Sequence, residues 1–161
     1  MLGRIPHRSG SASDRDIVDE VMQATDTSSL RHRLFTQLSG GEKQRVQLAR
    51  AVAQVWRQED ASCRLLLLDE PSSALDLSHQ RMVLDLVRKL CSEGVAVITS
   101  THDFNLVAAG ADQVLVLHAG TQDSCGAPAD VLTQAMFARV FDVGVLIKAH
   151  PEQGSPLVIQ L

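Results

Sequence analysis

A chain of 161 residues suits one domain and is long enough to bury a sizeable core. With 45% apolar and 21% charged residues and a net charge of −4 (15 Lys and Arg against 19 Asp and Glu), the composition is that of a soluble globular protein and lacks a basic nucleic-acid footprint. Cys63, Cys91 and Cys125 are odd in number, widely spaced and never in a C-x-x-C pair, which argues for reduced thiols without a disulfide frame or zinc site. No apolar run is longer than Leu65–Leu68, too short to cross a membrane, and Arg4, His7 and Arg8 interrupt any signal-peptide stretch. The expectation is a soluble cytosolic domain.

In chain order, the Gly-, Pro- and Ser-rich stretch 1–13 reads as loop. From Asp14 to Ala24, Ile17, Val18, Val21 and Met22 recur at helical spacing, with Ser13 or Asp14 as N-cap, and Thr25–Ser29 is a polar break. Leu38-Ser39-Gly40-Gly41-Glu42 reads as a tight Gly-rich turn. A long helix should follow from about Glu42 to Trp56, with Val46, Leu48, Ala49, Val52, Ala53 and Trp56 on one face, and then a polar loop at 57–63.

Arg64–Asp69 is a short apolar run ending in acid, the pattern of a strand buried on both faces. Ser78–Ser92 is the clearest helix, with Met82, Val83, Leu86, Val87 and Leu90 on one side and Gly94 just beyond its end. Val95–Thr99 predicts a second buried strand. A short helix near 104–109, a strand at 113–117, a hairpin turn at Ala119-Gly120 and a polar strand at 121–125 follow. Pro128 opens helices that run to about Phe141, and Val145–Ala149 and Leu157–Gln160 read as two weak strands. Strands alternating with helices imply an α/β fold with a largely parallel sheet.

Three places carry chemistry. Asp69 and Glu70 sit side by side at the C-terminal end of a buried strand, where α/β sheets bind ligands. One carboxylate there can hold Mg²⁺ with waters and phosphate oxygens, and its neighbour can polarise an attacking water. The same pair is also a common solvated strand end. Ser39-Gly40-Gly41 before a long helix offers a hydroxyl, bare N–H groups and a positive helix N-terminus, a setting for phosphate, though also for an ordinary Ser cap. His102, after the second strand, would lie near the two acids if the strands are neighbours; a lone His there is more often incidental.

Order and spacing join these pieces. Leu38-Ser39-Gly40-Gly41-Glu42-Lys43-Gln44-Arg45 resembles the signature motif of ATP-binding-cassette (ABC) ATPases. Leu65–Glu70 resembles their Walker B strand and general-base Glu, Ser73-Ala74-Leu75-Asp76 their D-loop, and His102 their switch histidine. Gly3-Arg4-Ile5-Pro6-His7, Leu77-Ser78-His79-Gln80, Thr101-His102-Asp103-Phe104-Asn105-Leu106 and the tail from His150-Pro151 to Leu157-Val158 look like the haem importer ATPases, in the branch that also serves iron–siderophore and vitamin B12 uptake.

The resemblance implies a P-loop NTPase-like ABC core, incomplete at its N-terminus, with part of the helical subdomain. Residues 1–45 would be helical subdomain ending in the signature, 46–142 catalytic core, and 143–161 a C-terminal extension. It implies ATP and Mg²⁺ as cofactors. Asp69 would hold Mg²⁺ through water, Glu70 activate the attacking water, and His102 contact the γ-phosphate. Ser39, Gly40 and Gly41 would cap the γ-phosphate held by a second subunit, Glu42 would belong to the same cofactor-binding signature, and Asp76 would link the two sites. The implied partners are a second ATPase subunit in a head-to-tail homodimer, the permease subunits and, indirectly, a periplasmic binding protein, at the cytoplasmic face of the inner membrane; no nucleic acid is implied.

No G-x-x-x-x-G-K-[ST] occurs in the 161 residues, and Gln23 and Gln37 lack a Q-loop context, so the chain looks like roughly the C-terminal two-thirds of such an ATPase. The alternatives are a non-catalytic module that lends signature and D-loop surfaces to a complete partner, or the ATPase of an iron–siderophore or vitamin B12 importer. An ABC protein of DNA repair or translation would call for a coiled-coil insertion or a basic stretch, and neither is present.

Overall fold

The computed structural model describes residues 12–56, 63–152 and 154–161. Of the expected loops at 1–13 and 57–63, residues 1–11 and 57–62 lie outside the described residues, while residues 12 and 13 are helical. The elements run α1 (Ala12–Ala24), α2 (Gly40–Val55), β1 (Arg64–Asp69), α3 (Leu77–Ser92), β2 (Val95–Ser100), α4 (Phe104–Gly110), β3 (Val114–His118), β4 (Thr121–Gly126), α5 (Pro128–Val131), α6 (Gln134–Phe141), β5 (Val145–Ala149) and β6 (Pro156–Gln160). Backbone contacts divide the chain into two units, residues 1–101 and 102–161.

In the first unit β1 and β2 pair in parallel, with Leu67 opposite Ile98 and Asp69 opposite Ser100. A parallel pair needs a crossover, and α3 supplies it. The helix buries Val83, Leu86 and Leu90 against Leu66, Leu68 and Val95, and Leu48, Ala49, Val52 and Val55 of α2 and Ile17 and Val21 of α1 complete the core. Trp56, buried at the end of α2, donates to Glu20 at 2.8 Å, and the Lys89 ammonium lies 4.5 Å from a centroid of its ring system. Past the end of α3, Gly94 takes φ +82, the left-handed turn that favours glycine.

Two local expectations change. α1 starts at Ala12, so Ser13 and Asp14 fall inside its first turn and do not cap it; Asp14 instead places a negative charge near the helix N-terminus, where the dipole favours it. The strands are not buried on both faces. Leu66 and Leu68 are buried, whereas Leu65, Leu67 and Ile98 are 50%, 65% and 61% exposed. The apolar run reflects one packed face and one bare face, because the helices of this unit cover only one side.

In the second unit β3 and β4 form an antiparallel hairpin, and β5 and β6 form another. Ala119 and Gly120 both take positive φ (49 and 79), as mirror-image hairpin turns require. The α/β class stands, with parallel pairing among the described residues confined to β1 and β2. Ala108, Val116, Leu132, Met136, Phe137 and Val145 form this unit's core, with Phe104 edge-on to Phe137 at 4.7 Å.

Candidate functional site

The Gly-rich segment is the first turn of α2. Ser39 is its N-cap: the hydroxyl accepts from the Glu42 N–H at 3.3 Å, and the Glu42 carboxylate accepts from the Ser39 N–H at 2.7 Å. This capping box satisfies donors the helix cannot and is worth about 1 kcal/mol. The other Glu42 oxygen accepts from Arg33 at 2.6 Å, so this side chain clamps the turn from within. The Ser39 backbone N–H holds the Glu42 carboxyl below its usual range, helped by the Ser39 hydroxyl and Arg33. Ser39 and Gly40 are exposed, and a Cβ on Gly40 would meet nothing within 4 Å. The N-terminus of a 16-residue helix therefore faces open space.

Gly41 is constrained in the opposite way: a Cβ there would stand 3.0 Å from the carbonyl oxygen of Ala74. The Gly-rich turn lies directly against the turn that follows β1. Gln44, one helical turn on, donates to the Glu70 carbonyl at 2.9 Å and ties the same two segments a second time.

At the end of β1, Asp69 is exposed and its Oδ1 accepts from the Ser100 hydroxyl of the neighbouring strand. Glu70 takes φ 46, an uncommon left-handed conformation for a non-glycine residue that costs about 1–2 kcal/mol. The surroundings hold it there. Its N–H donates to the Ser100 carbonyl and hydroxyl, both at 3.1 Å, and its carbonyl accepts from Gln44 and from the Ser73 hydroxyl at 3.1 Å. The sharp turn redirects the chain as it leaves the sheet.

Asp76 caps α3. Its Oδ1 accepts from the His79 N–H at 2.9 Å, the Ser78 hydroxyl at 2.7 Å and His79 Nδ1 at 2.7 Å. These donors, the His79 backbone first, pull its carboxyl from the usual 3.8 down to about 2.

The first unit thus brings together Ser39, Gly40, Gly41, Glu42, Asp69, Glu70 and Asp76. His102 is exposed and belongs to the second unit, where the next residue, Asp103, caps α4 by accepting from the Leu106 N–H at 2.9 Å. Gln44, Ser100 and Arg33 were missed in the sequence. Pairing β1 with β2 in register would have found Ser100, since it stands opposite Asp69. Gln44 and Arg33 leave no such signal, because their partners are a backbone carbonyl and a cap.

Residues 5–73 match the family model described as ABC transporter. The chain is 46% identical over 158 residues to a hemin import ATP-binding protein HmuV of Pseudomonas entomophila (strain L48), covering 98% of this chain and 61% of that relative. A second HmuV, of Gloeobacter violaceus, is 45% identical over 163 residues, covering 100% and 59%. The chain thus spans about three-fifths of the length of these relatives. Among solved structures, a metal-chelate type ABC transporter in an inward-facing conformation superposes with a TM-score of 0.77 at 28% identity, covering 98% of this chain and 62% of that one. An ATP-binding cassette of an ABC transporter in its ADP conformation shares the fold, with a TM-score of 0.66 at 17% identity, covering 86% of this chain and 53% of that one. Residues 5–73 thus match the ABC transporter family, and over the residues it contains the chain is similar to the ATP-binding proteins of such transporters.

Proposed function

We propose that this chain supplies the signature turn, acid pair and D-loop of an ATPase that drives hemin import. The observation that carries the reading is the tie between an open helix N-terminus and the acid-bearing strand end: Gln44 on the Glu70 carbonyl, and Gly41 against Ala74. In this reading Ser39 and the Gly40 and Gly41 N–H groups receive the γ-phosphate of a nucleotide held by a second subunit, and Glu42 keeps their turn in shape. Asp76 links the two sites across the subunit interface.

The residues fit a hydrated Mg²⁺. Asp69 offers one exposed carboxylate, and no group of three or more His, Cys, Asp or Glu among the described residues converges on a cation. That suits a hard ion otherwise held by water and phosphate. Asp69 would hold Mg²⁺, which when bound would supply charge neutralisation at the phosphates. Glu70 orients and deprotonates the attacking water, and His102 donates to the γ-phosphate as its charge develops. The ATPase works at the cytoplasmic face of the membrane as a head-to-tail dimer on permease subunits, with a periplasmic binding protein delivering cargo. The hemin cargo follows the named function of relatives at 42–46% identity. The second reading is iron–siderophore or cobalamin cargo; like hemin these are metal chelates, the class named for the solved transporter at 28% identity.

The 161 residues alone do not hydrolyse ATP at a family-like rate, because no P-loop sequence among them positions the β- and γ-phosphates. The test joins the upstream part of an HmuV relative to this chain and measures ATP turnover, then uptake of hemin, a ferric siderophore and cobalamin in vesicles carrying the permease. Turnover abolished by Glu70→Gln with ATP binding kept is the expected result. An inactive chimaera would favour a non-catalytic module instead. In mixed dimers, Ser39→Arg should spoil the site whose P-loop belongs to the other subunit; loss confined to the mutant's own P-loop would overturn the role given to Ser39.

A further inference from the structure

Four charged or titratable side chains from three helix ends meet behind the signature turn. Arg45 of α2 is nearly buried, with its side chain 11% exposed, and its Nη1 donates to Asp26 Oδ2 at 3.0 Å. Asp26 is the left-handed residue (φ 48) in the turn after α1. His79, in the first turn of α3, stands between them. Its Nδ1 is 2.7 Å from Asp76 Oδ1, while its Nε2 faces both Arg45 Nη1 and, at 3.2 Å, Asp26 Oδ2.

The contacts fix the proton on Nδ1 and set Nε2 between a donor, Arg45, and an acceptor, Asp26. Asp76 is an acceptor only, so Nδ1 must carry the proton and donate. Nε2 of the neutral ring then presents a lone pair, which suits a guanidinium N–H and not a carboxylate. Asp26, itself largely exposed, remains the counter-ion of the nearly buried Arg45. A ring protonated at both nitrogens would set a cation against Arg45 and turn Nε2 toward Asp26. With Nδ1–H donating to Asp76 and Nε2 accepting from Arg45, His79 connects the Asp76 cap to the helix that carries the signature turn.

We propose that His79 is a positioning residue: its imidazole joins the Asp76 turn to Arg45, so that Ser39–Gly41 and Ser73–Asp76 move as one body. Its value to catalysis rests on the ATPase reading above; the mechanical link does not. Gly41 against Ala74 sets how close the two turns lie, and His79 ties the same two segments a second time through Asp76 and Arg45.

The test uses the 161-residue chain. Long-range ¹H–¹⁵N correlation of the imidazole at neutral pH should report a proton on Nδ1 and a bare Nε2. By hydrogen exchange, His79→Ala should speed opening of segments 39–45 and 73–76 together by about tenfold. His79→Asn, which reaches only Asp76, should loosen 39–45, and His79→Gln, which reaches only Arg45, should loosen 73–76. A proton on Nε2 alone, or exchange in both segments unmoved by all three variants, overturns the proposal. Should His79→Ala unfold the chain, the wild-type tautomer and the Asn and Gln variants decide it. ATP turnover by the chimaera fails or succeeds separately.

Discussion

Gly41 lies beneath the Ala74 carbonyl, where a side chain would come within 3.0 Å of the oxygen, while its neighbour Gly40 faces open space. Two adjacent glycines of one motif therefore answer to different demands. Gly41→Ala must push the Ala74 turn back by a few tenths of an ångström. Gly40→Ala meets no atom and gains helix propensity. The first should leave the chain about 1 kcal/mol less stable than the second. Urea midpoints of the two variants check this, and equal midpoints would refute the packing contact.

The cap of α2 is reciprocal, so either half should matter. Ser39→Ala removes the acceptor for the Glu42 N–H and should cost about 1 kcal/mol. Glu42→Gln keeps the shape but weakens the charge-assisted bonds to the Ser39 N–H and Arg33, so a smaller loss is expected. Amide exchange at residues 40–43 reads both effects.

Asp76 sets a pH dependence. Its carboxyl titrates near about 2 in the folded chain, against an ordinary 3.8. The unfolded chain therefore takes up this proton first as pH falls. The stabilisation is fully present above about pH 4, is lost between there and about 2, and does not return at lower pH. Asp76→Asn should flatten this part of the acid limb in a pH series of denaturation midpoints; an unchanged limb would remove Asp76 as its source.

Glu70 holds a conformation that glycine adopts freely. Glu70→Gly should be about 1 kcal/mol more stable than Glu70→Ala, since both remove the carboxylate assigned to water activation and only glycine relieves the left-handed backbone. Equal denaturation midpoints for the two variants would remove the backbone strain described above.

The bare face of β1 and β2 places Leu65, Leu67 and Ile98 in solvent, and Leu67 and Ile98 are register partners. The 161-residue chain should self-associate through such a surface. Replacing Leu67 and Ile98 with Lys should shift sedimentation toward the monomer and reduce dye binding to apolar surface. A wild-type chain that sediments as a monomer at high concentration would contradict this.

The sequence by itself determined the element order, because helical and strand periodicities and the Gly, Pro and Ser breaks are local properties. It also carried the chemistry-bearing motifs, since Ser39-Gly40-Gly41, Asp69-Glu70 and Ser73–Asp76 are contiguous. Only the tertiary structure decided which strand faces are covered, for four leucines in a row read alike whether one face or both are packed. It also placed the glycines within a helix, because Ser39 and Glu42 close on each other across one turn and extend α2 back to Gly40. The left-handed backbone at Glu70, the Gln44 tie to its carbonyl and the bridge from Asp76 through His79 to Arg45 arise from groups brought together by packing. Apart from the local Asp76–His79 pair, residues 26 and 34 positions apart in the chain make those contacts, and no local pattern encodes such distances.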